Sequence, residues 1–111
     1  MGGMPELLSD EAKGKALGRL RNWRLAEGAF ERTVELASFP QAIQVVTGVA
    51  DVAETNNHHP DIDIRWRTLT FRCTTHSESG ITAKDVTLAE AIDLVIDAVR
   101  AERSGGDAVA T

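Results

Sequence analysis

Ile62-Asp63-Ile64-Arg65-Trp66-Arg67-Thr68-Leu69-Thr70-Phe71-Arg72-Cys73-Thr74-Thr75 is the stretch on which the fold turns. It reads as a hairpin, with a short outer strand near Ile62 to Trp66 and an inner strand from Thr68 to Thr75. On the inner strand Leu69, Phe71 and Cys73 face one way, and Thr68, Thr70, Arg72 and Thr74 the other. A strand apolar on one side and polar on the other needs a cover on one face only, as in an antiparallel sheet. His76 continues the polar side at the open end of the strand, where a ligand can meet its imidazole.

Downstream of the hairpin, Ser79-Gly80-Ile81 is a turn, and Thr82-Ala83-Lys84-Asp85 resembles a capping box with aspartate in the third helical position. A helix then runs to about Arg103, with Leu88, Ile92, Val95, Ile96 and Val99 as its buried stripe. Ser104-Gly105-Gly106-Asp107 and the small residues after it predict a disordered tail over 104–111, leaving one domain over 1–103. Upstream, Pro40 suits the first turn of another helix, which continues through Gln41 to about Glu54. Ile43, Val46, Ala50 and Ala53 form its expected stripe, widened by Val45, Val49 and Val52. Gly48 inside it costs about 1 kcal/mol relative to alanine, which a close approach to the sheet or to another chain would explain.

Further back, Phe30-Glu31-Arg32-Thr33-Val34-Glu35-Leu36 alternates, with Arg32 interrupting an apolar face of Phe30, Val34 and Leu36. Asn22-Trp23-Arg24-Leu25 is a short extended piece, joined to that strand by a turn at Ala26-Glu27-Gly28-Ala29. Ser9 is the expected N-cap of a first helix reaching about Arg21, with Asp10 and Glu11 at the positive end of its dipole and Ala12, Ala16, Leu17 and Leu20 on one stripe. The order α-β-β-α-β-β-α predicts an α+β fold, a four-stranded antiparallel sheet with helices on one face.

At 111 residues, 42% hydrophobic and 26% charged, the chain has the composition of one globular domain, of a size that often gains stability by oligomerising. A net charge of −5 argues against nucleic-acid binding, which needs a basic surface. Cys73 is the single cysteine and cannot form an internal disulfide, which fits a reducing compartment. Met1-Gly2-Gly3-Met4-Pro5-Glu6 shows no basic region followed by an apolar one, and no apolar run is long enough to cross a bilayer. The expected location is cytoplasmic, away from membranes.

The chain has three histidines, His58, His59 and His76, and in a fold of this size they can converge over one cleft at the edge of the sheet. Histidine is the side chain whose ordinary pKa lies nearest neutrality, so this grouping points to proton transfer or metal binding. The bland alternative for His58-His59-Pro60 is a solvated loop ending a helix. A metal site is disfavoured, because adjacent residues in extended chain point to opposite sides and no second cysteine or spaced histidine pair is present. Asp85 has two compatible readings, helix capping and orientation of a histidine. Glu54 lies one helical turn before His58, within reach of the same cleft or on a solvated face. Trp66 is a candidate for stacking on an aromatic heterocycle, while Trp23 is expected in the core or at its rim. Arg65, Arg67 and Arg72 either attract an anion or pair with nearby carboxylates.

Ala53-Glu54-x-x-Asn57-His58-His59-Pro60, then Trp66, then Thr75-His76-x-x-x-Gly80-Ile81-Thr82-x-x-Asp85 resembles the pterin-4a-carbinolamine dehydratases. The likeness runs from the Leu20–Trp23 segment to Ile92. It implies the α+β fold already read and dehydration of 4a-hydroxytetrahydropterin to quinonoid dihydropterin. It also implies a homodimer or homotetramer built partly through sheet edges, a link to aromatic amino-acid hydroxylases, and neither metal nor bound cofactor. The family's motif residues map onto His58, His59, His76 and Asp85 as the catalytic set. The expected substrate contacts are Glu54, Pro60, Trp66, Thr75, Ser77 and Glu78. Ile62 stands where many relatives carry an aromatic residue, Ile64 near a frequent asparagine, and Lys84 where arginine is common. The alternative implied by the same scaffold is a non-catalytic dimerisation or assembly factor, although such a protein has no chemical need of three histidines.

Overall fold

The computed structural model describes residues 6–109, with side chains as far as Glu102. Its elements are α1 (Asp10–Arg19), β1 (Arg24–Ala26), β2 (Ala29–Glu35), α2 (Phe39–Asn56), β3 (Asp61–Arg65), β4 (Thr68–Cys73), a 3-10 turn (His76–Glu78) and α3 (Ala83–Val109). The four strands form one antiparallel sheet in the order β1-β2-β4-β3. This is the α+β architecture expected from the sequence.

The sheet register explains where the core lies. Phe30 pairs with Cys73, Arg32 with Phe71 and Val34 with Leu69, so their side chains share one face. That face joins Val45 and Val49 of α2 and Leu88, Ile92 and Ile96 of α3 in a single buried cluster. The other face is polar: Arg24 and Arg72 both bond Glu31, and Thr33 meets Thr70. Glu27 and Gly28, both at positive φ, close the β1–β2 hairpin as a two-residue turn. Ser9 caps α1 through Ala12 N–H, and Ser38 caps α2 through Gln41 N–H.

Several details differ from the sequence reading. The buried line of α2 is Ala42, Val45, Val49 and Ala53, while Ala50 is exposed and Ile43 is 37% exposed. The stripe is turned by about one residue, roughly 100°. This helix is apolar along two adjacent lines, so periodicity alone does not choose between them. Within the chain the close approach at Gly48 is to α3 and not to the sheet: a Cβ there would lie 2.7 Å from Val95 Cγ1. Arg32 remains on the core face, 6% exposed, where its Nη1 donates to Asp93 Oδ1 at 2.5 Å. Trp23 Nε1 donates to the same oxygen at 2.8 Å, so one α3 carboxylate serves both buried donors.

α1 ends at Arg19, two residues before the expected end, and β4 ends at Cys73. Thr75 instead bridges Gly80 across the following turn. The α3 backbone is helical to Val109, past the expected end at Arg103, so that much of the expected 104–111 tail is helix; residues 110–111 lie outside the described residues. Among the described residues no helix is long and apolar enough to cross a membrane.

Candidate active site

Two helix ends and one strand end make up the site. α2 stops at Asn57, which adopts the left-handed conformation at φ 51°, a region that asparagine tolerates better than most residues. His58 N–H then reaches back to Ala53 O at 3.1 Å, closing the helix and turning the next side chains out of its axis. His58 Nε2 lies 2.6 Å from Asp85 Oδ1 in the first turn of α3.

Asp85 is fully buried. Its Oδ2 accepts Thr82 N–H at 2.9 Å, as the third residue of a capping box should, and also accepts the Thr75 hydroxyl at 2.7 Å. One carboxylate thus caps the helix with one oxygen and faces His58 with the other. An ionised carboxylate only accepts, so the bond to Oδ1 calls for a proton on His58 Nε2 and leaves Nδ1 facing elsewhere.

His59 takes a different carboxylate. Its Nε2 lies 2.5 Å from Glu54 Oε2, with both side chains exposed. The adjacent imidazoles thus take separate carboxylates, as alternation in extended chain requires. Among the described residues no three His, Cys, Asp or Glu side chains gather as a metal-ligand cluster.

His76 opens the 3-10 turn, which Ser79 closes by donating to His76 O from a left-handed conformation. Thr75 N–H to Gly80 O at 2.8 Å pins the base of this loop, and Leu8 N–H to Ile81 O at 2.8 Å ties the N-terminal segment beside it. The His76 ring is exposed and makes no hydrogen bond among the described residues.

All three histidines line one cleft of about 290 Å³, together with Thr75, Ser77 and Lys84. That lies near the lower end for small-molecule sites, about 300 Å³. A larger groove of about 620 Å³ runs between α2 and α3, but among the described residues its ionisable side chains are Asp51 and Glu102. The smaller cleft holds the groups able to move protons near neutrality. Cys73 is not among them, since burial pushes its thiol well above the ordinary range.

The pterin 4 alpha carbinolamine dehydratase family model matches residues 6–95. The chain belongs to that family. A relative provisionally named pterin-4-alpha-carbinolamine dehydratase from Nocardia farcinica is 52% identical over 88 residues, covering 79% of this chain and 93% of the relative. One with the same provisional name from Mycobacterium sp. (strain KMS) is 48% identical over 91 residues, covering 82% and 97%. A crystal structure described as a transcriptional coactivator/pterin dehydratase from Brucella melitensis superposes with a TM-score of 0.80 at 25% identity, covering 82% of this chain and 99% of that one. A pterin dehydratase-like RuBisCO assembly factor of the α-carboxysome shares the fold at a TM-score of 0.56 and 12% identity, covering 67% and 86%.

Against the family pattern, the structure gathers His58, His59, His76 and Asp85 at one end of the sheet. Of the expected substrate contacts, Ser77 lines the cleft, and Thr75 does so while its hydroxyl points inward to Asp85. Glu54 stands behind His59, whereas Pro60 and Glu78 are not part of the cleft wall. Trp66 is not brought to the histidines within this chain. It caps the far end of the β3–β4 hairpin at φ 55°, 70% exposed, with Arg67 4.8 Å over its ring. Five residue steps, roughly 17 Å of extended chain, separate it from Asp61 at the histidine end. Arg65, Arg67 and Arg72 pair with Asp63, Glu35 and Glu31. Asn57 and Thr82 stand in the motif that carries the resemblance but have no site role in the sequence reading; the structure places Asn57 in the cleft wall and Thr82 behind it, on Asp85. Beyond the motif itself, their sequence signals are a helix cap at Thr82 and an asparagine at a helix end at Asn57.

Proposed function

We propose that this chain dehydrates 4a-hydroxytetrahydropterin to quinonoid dihydropterin, in cytoplasmic recycling of the cofactor of aromatic amino-acid hydroxylases. The observation that carries the reading is the convergence of three imidazoles on one cleft, with His58 held by a buried aspartate. In the reaction the C–O bond at carbon 4a breaks with its electron pair going to oxygen, which takes a proton and leaves as water. A ring N–H gives up its proton, and the electron pair left behind closes the new C=N bond. One group must donate and another accept.

His58 and His76 divide these two transfers. His58 offers Nδ1, because Nε2 is committed to Asp85, and the exposed His76 ring is free to meet the substrate from the opposite loop. His59, steadied by Glu54, binds and orients the pterin. Lys84 at the cleft wall supplies a positive charge for the carbonyl edge of the ring.

The active form is a homodimer or homotetramer joined partly by sheet edges. β3 is an edge strand, with Asp63, Ile64 and Arg65 exposed. Paired antiparallel with a second copy about Ile64, it places Asp63 opposite Arg65, opposite charges facing. The same register lays Trp66 beside Ile62 of the second copy, closer to the histidines than its own chain allows.

Single-turnover decay of 4a-hydroxytetrahydropterin tests the assignment. His58→Ala and His76→Ala should each slow the chemical step by about 10²-fold or more, while His59→Ala should act mainly on KM. Full activity in both of the first two variants would overturn the assignment.

A further inference from the structure

Behind His58 lies a chain of hydroxyl groups that the reaction as written does not use. Thr75 and Thr82 are buried, and their Oγ1 atoms are 2.7 Å apart. The direction of each bond follows by elimination. The single hydroxyl proton of Thr75 goes to Asp85 Oδ2 at 2.7 Å, because the carboxylate cannot donate. The proton between the two threonines therefore comes from Thr82. Thr82 Oγ1 in turn accepts Lys84 N–H at 3.2 Å in the first turn of α3.

The order is thus Lys84 N–H to Thr82, Thr82 to Thr75, Thr75 to Asp85 Oδ2, with His58 Nε2–H donating to Asp85 Oδ1. Every member has one available role, so the chain has a single polarity starting from a helix N-terminus.

We propose that Thr75 and Thr82 are positioning residues, whose ordered hydroxyls lock the Asp85 carboxylate and thereby hold His58 as the Nε2–H tautomer. Thr75 acts from inside the wall, through Asp85, and does not contact the pterin with its side chain. Capping alone does not require this arrangement. Thr82 N–H and Oγ1 complete the capping box without Thr75, yet Thr75 at the end of β4 is turned inward onto the same oxygen.

This inference rests on the dehydratase reading for its catalytic consequence, but the tautomer is observable without substrate. Nitrogen-15 spectra of histidine-labelled wild type should show His58 protonated at Nε2. Thr75→Val, which matches the side chain's shape without the hydroxyl, should give a mixture of tautomers and lower kcat about tenfold with KM changed less than twofold. That is a fraction of the 10²–10⁴ a well-positioned acid or base supplies. Thr75→Ser should restore both the spectrum and kcat, which a packing role for the methyl group would not produce.

Wild-type His58 protonated at Nδ1 would overturn the proposal outright, whether or not any variant folds. Thr75→Val with an unchanged tautomer and unchanged kcat would overturn it as well. If wild type shows no pterin turnover, the dehydratase reading fails, and the spectra still decide the hydroxyl chain.

Discussion

Asp85→Asn separates the two jobs of one buried side chain. Its Oδ2 accepts Thr82 N–H and the Thr75 hydroxyl, and its Oδ1 accepts from His58. Asparagine has one accepting oxygen and one donating nitrogen. Keeping the cap puts the oxygen toward Thr82 and Thr75, and turns the amide N–H toward His58 Nε2. The imidazole must then present a lone pair there and carry its proton on Nδ1, the atom assigned to the substrate. Stability should fall by about 1–3 kcal/mol, the cost of replacing a charge-assisted bond by a neutral one at a fully buried site. For a domain of this size that lowers Tm by about 4–8 °C per kcal/mol. Turnover should fall further, by about 10²-fold or more, because the reacting nitrogen is in the wrong state. Thermal unfolding followed by stopped-flow decay of 4a-hydroxytetrahydropterin measures both. A destabilised variant with kcat within threefold of wild type would refute the orienting role and leave Asp85 as a helix cap alone.

Three further outcomes follow from the packing and charges. Gly48→Ala should destabilise by about 1 kcal/mol in urea unfolding. The helix-propensity gain of about 1 kcal/mol is outweighed by overlap with the stiff Val95 methyl 2.7 Å away, and in a Val95→Ala background the same change should become stabilising. Arg24 and Arg72 hold the Glu31 carboxyl below its usual value of 4.5, so Glu31 adds stability above the unfolded pKa and loses it as pH falls through the lower folded value. Glu31→Gln should accordingly flatten the acid side of a stability–pH curve below about 4.5; an unchanged acid limb would contradict this. Arg65→Asp should shift the assembly toward smaller species in light scattering, and adding Asp63→Arg should restore it. An Arg65→Asp variant with unaltered mass would exclude the β3 edge as the contact.

The β3–β4 hairpin was legible because Leu69, Phe71 and Cys73 alternate strictly with polar residues, and the capping box was legible because its spacing is local. The α2 face was not, since Val45 and Val49 compete with Ile43 and Val46 on neighbouring lines, and it is packing against the sheet and α3 that selects between them. Arg32 looked like a flaw in β2 because its partner, Asp93, lies far along the chain. At the site, histidines and aspartate stood out by residue type. Thr75 and Thr82 did not, as threonine at a strand end or helix start has ordinary uses, and their joint role depends on a 2.7 Å contact between two elements. Trp66 was placed near the histidines by its position in the motif, whereas the hairpin carries it the length of β3 away.

Whether imidazoles in this cleft carry the dehydration is decided by following 4a-hydroxytetrahydropterin decay with wild type, with the His58→Ala/His76→Ala double variant and in buffer alone. Wild type should accelerate the decay, and a folded double variant should return it to the buffer rate. Equal rates for wild type and buffer, or an undiminished rate in the double variant, would contradict the assignment.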